Sequence, residues 1–357
     1  MKISGKFFPW LTFVVVLGAF LSLSQNGFGG DIFRDNPAIV AGGKAIPEAA
    51  QLAATNPRDN YSRGRSSVAK KSATNGKSAQ DFLDEKFYEK PADSIRVATM
   101  NCYNYLTENR YINGRYVYDA PKPLRERQAL HRIVKLVSPD VLLLQEIGTE
   151  EYVKQFADDL KKIGEVFPYT AFMEGRDTHR RLAILSKIPP DEILKYPMKG
   201  KMTRGVLGVR IKTAGAAKNS CVEIFAVHLK SRITRNSSDP ECRKERRFEA
   251  ECVRSILAGR NTGWIVGGDF NDTPDSDTIP VFLRGGFAKR LDARDIYGDA
   301  WTFRDKRRIY EHIFDHILVS PKIYRFYVPA SARIVEPKIS EEASDHRVVF
   351  ADFCFNR

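Results

Sequence analysis

Six hydrophobic runs in this chain begin or end in groups that bind cations, hold phosphate or carry protons. VATMNCYNY (97–105) contains Asn101, and VLLLQE (141–146) ends in Glu146. VEIFAVHLKS (222–231) carries His228 and Lys230. WIVGGDFNDTP (264–274) carries Asp269 and Asn271. FDHILVS (314–320) holds Asp315, and SDHRVVF (344–350) holds Asp345 and His346. One acid at the end of a strand is ordinarily a turn or cap residue. Capping does not explain the same arrangement in run after run, whereas the loops at one edge of a rigid sheet are where reactive groups collect. Carboxylates and amides without a cysteine cluster suit a hard cation such as Mg²⁺, with Mn²⁺ or Ca²⁺ as substitutes. Histidines exchange protons near neutral pH. With basic residues around them, these groups suit attack by water on a phosphate ester.

The elements that would position these groups follow from periodicity. LRERQALHRIVKLV (124–137), EEYVKQFADDLKKI (150–163) and RRFEAECVRSILAG (246–259) carry apolar residues at helical spacing. The runs above, together with RRLAILSKIP and GVLGVRIKT, read as strands, several of them consecutive. Interleaved helices and strands of this kind predict a mixed α/β sheet system flanked by helices.

Three segments are expected. Lys2 and Lys6 precede an apolar stretch that stays uncharged up to Asp31, with small residues such as Ser24 and Gly29 behind it. This order predicts a secretory signal peptide or an N-terminal membrane anchor over residues 1–30, hence export. Residues 31–93 read as a flexible linker, since long apolar periodicity is poor there and GRSSVAKKSATNGKSAQ (64–80) is mostly Ser, Ala, Lys and Gly. Residues 94–357 form the folded domain. The formal net charge is +13, of which residues 91–357 carry +9, so the basic excess is not confined to a tail. Such a balance favours polyanions, nucleic acid first and anionic lipid second. The five cysteines include no C-x-x-C, which argues against a zinc site of that type.

The set NCYNY, LLLQE, FAVHLKS, GGDFND, FDHILVS and SDH, in this order over residues 95–355, resembles the endonuclease/exonuclease/phosphatase superfamily. That family includes pancreatic-type deoxyribonucleases and neutral sphingomyelinases. The resemblance implies a four-layered α/β/β/α sandwich of two packed mixed sheets. It implies metal ligation by Glu146, with Asn101 and Asp345 beside it. It implies that His346 contacts the scissile phosphate and is oriented by Asp315. Asp269 would orient or deprotonate the attacking water, Asn271 would steady phosphate oxygens, and His228 would be an acid for the departing oxygen. WTF (301–303) resembles a segment that sends a side chain to the site, which makes Thr302 a candidate for phosphate contact.

Lys230, Arg307 and Arg308 are further candidates for substrate contact, because RDKRRIYEH (304–312) and HLKSRITRNSSDPECRKERR (228–247) are strongly basic. These features favour a monomeric, exported nuclease acting on DNA or RNA. The alternatives are a phospholipid or sphingolipid headgroup phosphodiesterase, for which no aromatic lipid-docking hairpin is evident, and a silent binding module on the same fold. His316 should face away from Asp315, since successive strand residues alternate. Asp272 reads as a turn residue, His131, His179 and His312 as surface groups, and Arg181 as a solvated arginine.

Overall fold

The computed structural model describes residues 86–213, 220–234, 236–305 and 310–356. The expected leader, most of the expected linker, and Arg307 and Arg308 lie outside these residues. Among the described residues, no helix is long and apolar enough to cross a membrane.

Two six-stranded mixed sheets dominate. The first runs β15 (Arg333–Ile334), β16 (Val349–Phe353), β1 (Ile95–Tyr105), β4 (Val141–Ile147), β6 (Arg181–Ser186), β5 (Tyr169–Met173). The second runs β11 (Lys289–Arg290), β14 (Asp315–Val319), β10 (Gly263–Asp269), β9 (Cys221–His228), β8 (Val206–Lys212), β7 (Pro190–Tyr196). Each sheet has one central parallel pair, β1 with β4 and β9 with β10, and antiparallel neighbours on both sides. Two ribbons stand apart from the sheets: β2 (Thr107–Ile112) with β3 (Arg115–Pro121), and β12 (Phe303–Asp305) with β13 (Tyr310–His312).

Side-chain alternation builds three apolar layers. Val97, Val141, Leu143 and Ile184 of the first sheet meet Val209, Ile224, Ile265 and Ile317 of the second in a central core. Ala98, Met100, Leu142 and Leu144 point the other way, against α1 (Leu124–Val137) and α2 (Glu150–Lys162). Phe225, Val227, Trp264 and Val266 pack against α3 (Arg243–Ala258) and α4 (Ile279–Leu283). The result is the α/β/β/α sandwich expected from the sequence. Strands buried on both faces read as unbroken apolar runs for this reason.

The packed body begins upstream of Ser94. Tyr88 is buried against Phe350, and the Arg96 guanidinium donates to the Tyr88 and Glu89 carbonyls while pairing with Asp352. The expected linker over 31–93 therefore does not extend to residues 86–93. The five cysteines are free thiols.

Candidate active site

The parity that builds the cores also delivers the polar groups. Val222, Ile224 and Ala226 of β9 face the central core, so His228 faces it too, at the strand's end. In the same way Asp269 continues the face of Ile265 on β10, and Asp315 that of Ile317 on β14. Thr99 and Asn101 continue the face of Val97 on β1. The two sheets thus bring their polar ends to one place. Strand pairing fixes the alignment, with Asp269 opposite His228 on one side and Asp315 on the other.

Two glycines let β10 sit there. Gly267 leaves room for Leu143 of the other sheet, whose Cδ1 would lie 3.0 Å from an added Cβ. At Gly268 an added Cβ would overlap the Val227 carbonyl oxygen on β9.

Asp269 is the hub. Its Oδ2 accepts Asn101 Nδ2 at 3.1 Å and Asn271 Nδ2 at 3.2 Å, and lies 3.4 Å from His228 Nε2 and 3.7 Å from His346 Nε2. Its Oδ1 accepts the Asn271 backbone N–H at 2.8 Å. Asn271 turns in the left-handed region (φ 52°), which asparagine tolerates, and its amide also donates to Leu229 O. Burial pushes the Asp269 carboxyl up to about 7, the His346 charge opposing and Asp315 adding to the rise.

Asp315 Oδ2 lies 2.8 Å from His346 Nδ1. Burial pulls the His346 pKa down, but the Asp315 and Asp269 carboxylates outweigh it and hold the ring well above its ordinary value. Asp315 is fixed in turn by Thr302. The threonine Oγ1 accepts the N–H of Phe314 at 3.0 Å and of Asp315 at 2.9 Å. Thr302 is buried and supports Asp315 from behind, which corrects its expected contact with phosphate.

Glu146 reaches this end of the sheets through a bulge. Gln145 pairs with Leu182 and Ile147 with Arg181, which leaves Glu146 as an extra residue at φ 58°. The bulge turns Ile147 to the helix side and re-aims the glutamate. Glu146 Oε2 accepts the Asn104 N–H at 3.0 Å, and Oε1 lies 3.9 Å from His228 Nε2. The Ser344 hydroxyl donates to Asn101 O and accepts the His346 N–H, tying the SDH turn to the end of β1. Burial raises the Tyr103 phenol, and the nearby charges of Asp345, Glu126 and Glu146 add to the rise.

The donor chemistry here fits a hard cation. Glu146 and Asp345 carry carboxylate oxygens of the type such an ion takes, and the Asn101 Oδ1 accepts the Tyr103 N–H at 2.9 Å. A second grouping, Asp269, Asp315 and His346, has ligand atoms within 4.8 Å of one another. Its carboxylates already accept amide and imidazole donors, so it reads as a proton-holding network.

His228 departs from expectation. Burial lowers its pKa well below the ordinary value, and Arg204, His346 and Arg180 add to the effect. Its Nδ1 is buried without a partner, so no carboxylate backs the ring in the manner of Asp315 and His346. A neutral ring is a donor or acceptor of hydrogen bonds.

Lys230 turns its ammonium to the carbonyls of Ser231 and Ile233, in its own loop. Asp272 accepts from Thr278 and pairs with Arg232 and Arg246, a structural role. His316 faces away, bonded to Asp272 O, as alternation requires. His131, expected at the surface, is buried between Tyr105 and Phe156. Two arginines were missed. Arg204 is buried, pairs with Asp177 at 3.0 Å and donates to Leu229 O. Arg180 lies 3.9 Å from Glu146. Both sit on loops without a motif, and Arg180 directly precedes β6, which begins at Arg181.

None of the curated proteins compared with the chain matches it. Solved structures do. Beta toxin from Staphylococcus aureus superposes with a TM-score of 0.54 at 15% identity, over 72% of this chain and 99% of the toxin. A family protein from Leptotrichia buccalis gives 0.52 at 13%, over 72% and 99%. Sphingomyelinase C from Streptomyces griseocarneus gives 0.50 at 16%, over 73% and 99%. At these identities the likeness is one of fold. The pattern of the Endonuclease/Exonuclease/phosphatase family matches residues 98–346, a stretch that holds Asn101, Glu146, His228, Asp269, Asp315 and His346. The chain therefore belongs to the Endonuclease/Exonuclease/phosphatase family, whose enzymes hydrolyse phosphoesters.

Proposed function

We propose that the chain is an exported, divalent-metal-dependent phosphodiesterase that cleaves DNA or RNA. The observation that carries the hydrolytic reading is the Asp269 hub, bound by two amides and facing two imidazoles, with Asp315 locking one of the rings. The nucleic-acid reading is supported by the basic balance of residues 91–357, and export by the N-terminal leader.

Glu146, Asp345 and Asn101 Oδ1 would hold the ion, Mg²⁺ first, which supplies charge neutralisation at the phosphate. The chain's own groups do the rest. Asp269, with its carboxyl raised toward neutrality, orients water and takes its proton. His346, kept charged by Asp315, donates to a phosphate oxygen. The Asn271 and Asn101 amides hold the Asp269 carboxylate in place. Neutral His228 offers a hydrogen bond beside Glu146.

A substrate panel on the purified chain tests this: plasmid DNA, RNA and sphingomyelin, each with Mg²⁺ and with EDTA. Degradation of nucleic acid that EDTA abolishes and Mg²⁺ restores is the expected result. Release of phosphocholine without cleavage of nucleic acid would assign the site to lipid headgroups instead. Asp269→Asn and His346→Ala should each lower kcat by about 10²–10⁴-fold. No turnover of any of these substrates by wild type would return the chain to a silent binding module, and unchanged turnover in both variants would remove Asp269 and His346 from the chemistry.

A further inference from the structure

The ribbon of β2 and β3 takes no part in the chemistry above, yet it is built onto the site. It follows β1 after Tyr105, next to Asn104, whose N–H holds Glu146. Arg110 of the ribbon donates to the carbonyls of Asn104 and Leu106, and Lys122 at its far end donates to Tyr103 O at 3.0 Å. Register determines what the ribbon shows. Tyr111 pairs with Tyr116, and Tyr118 follows two residues later, so three rings share one face. Tyr116 and Tyr118 pack edge to face with centroids 4.9 Å apart. The face is open, with Tyr111 75%, Tyr116 56% and Tyr118 73% exposed. Arg110 and Ile112 occupy the opposite, half-buried side of β2. Cross-strand packing explains why Tyr111 meets Tyr116. It leaves the outer faces of the rings, and most of Tyr118, uncovered.

We propose that this tyrosine face is a stacking surface for the bases of single-stranded nucleic acid, which feeds unpaired strands to the adjacent site. The proposal rests on the nuclease reading above and deepens it. Every base presents a π-face to an aromatic ring, so such a surface tolerates any sequence. The exposed charges beside the rings are Arg115 next to Tyr116, which a phosphate would meet, and Asp119 next to Tyr118. Glu108, which would repel phosphate, is engaged by Arg110 at 3.2 Å and Arg180 at 3.7 Å. The ribbon's form argues against a lipid surface. Its apex is Asn113–Gly114, both left-handed (φ 50° and 77°), and offers no apolar side chain to insert.

The test uses the full chain, with Tyr111, Tyr116 and Tyr118 all changed to Ser in one variant and all to Phe in another. Binding is read in EDTA by fluorescence anisotropy with a labelled oligothymidylate and a labelled duplex of the same length. The Ser variant should bind the oligothymidylate about tenfold more weakly or worse, since each lost stack weakens binding severalfold. Its affinity for the duplex should hold, and the Phe variant should behave as wild type on both. Turnover of bis(p-nitrophenyl) phosphate with Mg²⁺ should be the same in all three, which shows an intact fold and site. If the triple Ser change lowers that turnover, Tyr118→Ser alone carries the comparison. Equal affinity of the Ser variant and wild type for the oligothymidylate overturns the proposal. So does loss of sphingomyelin-vesicle binding with oligothymidylate binding unchanged, which would give the face to lipid. Failure of the nuclease reading looks different: wild type would cut neither DNA nor RNA, whatever the tyrosines bind.

Discussion

Most of the reactive side chains could be read from their own neighbourhoods. Asn101, His228, Asp269 and Asp315 each lie where an apolar run meets polar residues, and strand alternation places each on the inward face. Thr302 shows where such reading stops. Its type is compatible with phosphate contact, but its hydroxyl is spent on the N–H groups of Phe314 and Asp315. Replacing it by Val leaves those two donors buried without an acceptor. Thr302→Val should therefore lower stability by about 1–3 kcal/mol in urea denaturation. The support it gives has a counterpart in activity. Asp315→Asn removes the charge that holds the His346 proton and offers an amide that can present a donor where an acceptor is needed. Hydrolysis of bis(p-nitrophenyl) phosphate by that variant should fall about 10²–10⁴-fold in kcat, with KM little changed. A fall of less than threefold would show that His346 works without its carboxylate.

At the scale of elements, the parallel pair β9 and β10 supports the site, and both strands are closely constrained. Gly268→Ala drives a Cβ into the Val227 carbonyl and must splay the strands that carry His228 and Asp269. Loss of more than about 4 kcal/mol, or no folded protein at all, is expected on thermal denaturation. On the helix side of β9, buried Glu223 pairs with Arg260 at 2.6 Å and Arg210 at 2.8 Å. Burial raises its carboxyl, but the two guanidinium groups outweigh that and set the pKa below its ordinary value. A carboxyl lowered in the folded state contributes stability above its unfolded pKa of about 4.3, and that contribution fades as pH falls through the folded pKa. Glu223→Gln should thus destabilise at pH 7 by about 1–3 kcal/mol, and the gap to wild type should close on acidification below about pH 4. A gap independent of pH in urea titrations would mean that the carboxylate charge is not what matters. Element by element, long buried strands and amphipathic helices were legible. Half-exposed strands such as β7, with only Leu194 buried, were not, because they lack an apolar run. The β2–β3 ribbon was overlooked even though YINGRY carries the Asn-Gly signal of a tight hairpin.

For the whole molecule, charge sets the broadest expectation. On the proposed nuclease reading, a chain with net charge +13 would release counterions on binding a phosphodiester backbone. Its affinity for nucleic acid should fall steeply between low and physiological salt, as followed by filter binding. A flat response would count against phosphate contact by the basic segments 228–247 and 304–312. The sandwich itself was foreseeable, since apolar runs of strand length alternating with amphipathic helices have few ways to bury both faces of two sheets. Sequence alone thus determined the layers, the family and the kinds of group at the site, because periodicity and residue chemistry are local properties. Only the tertiary structure decided which of those groups meet. It bent β4 at Glu146 to bring a carboxylate toward His228, stacked Asn101 of one sheet on Asp269 of the other, and turned Lys230 and Thr302 to structural tasks. Those outcomes depend on bulges, on sheet-to-sheet distance and on competition for hydrogen-bond partners between residues far apart in the chain, which no single stretch of sequence encodes.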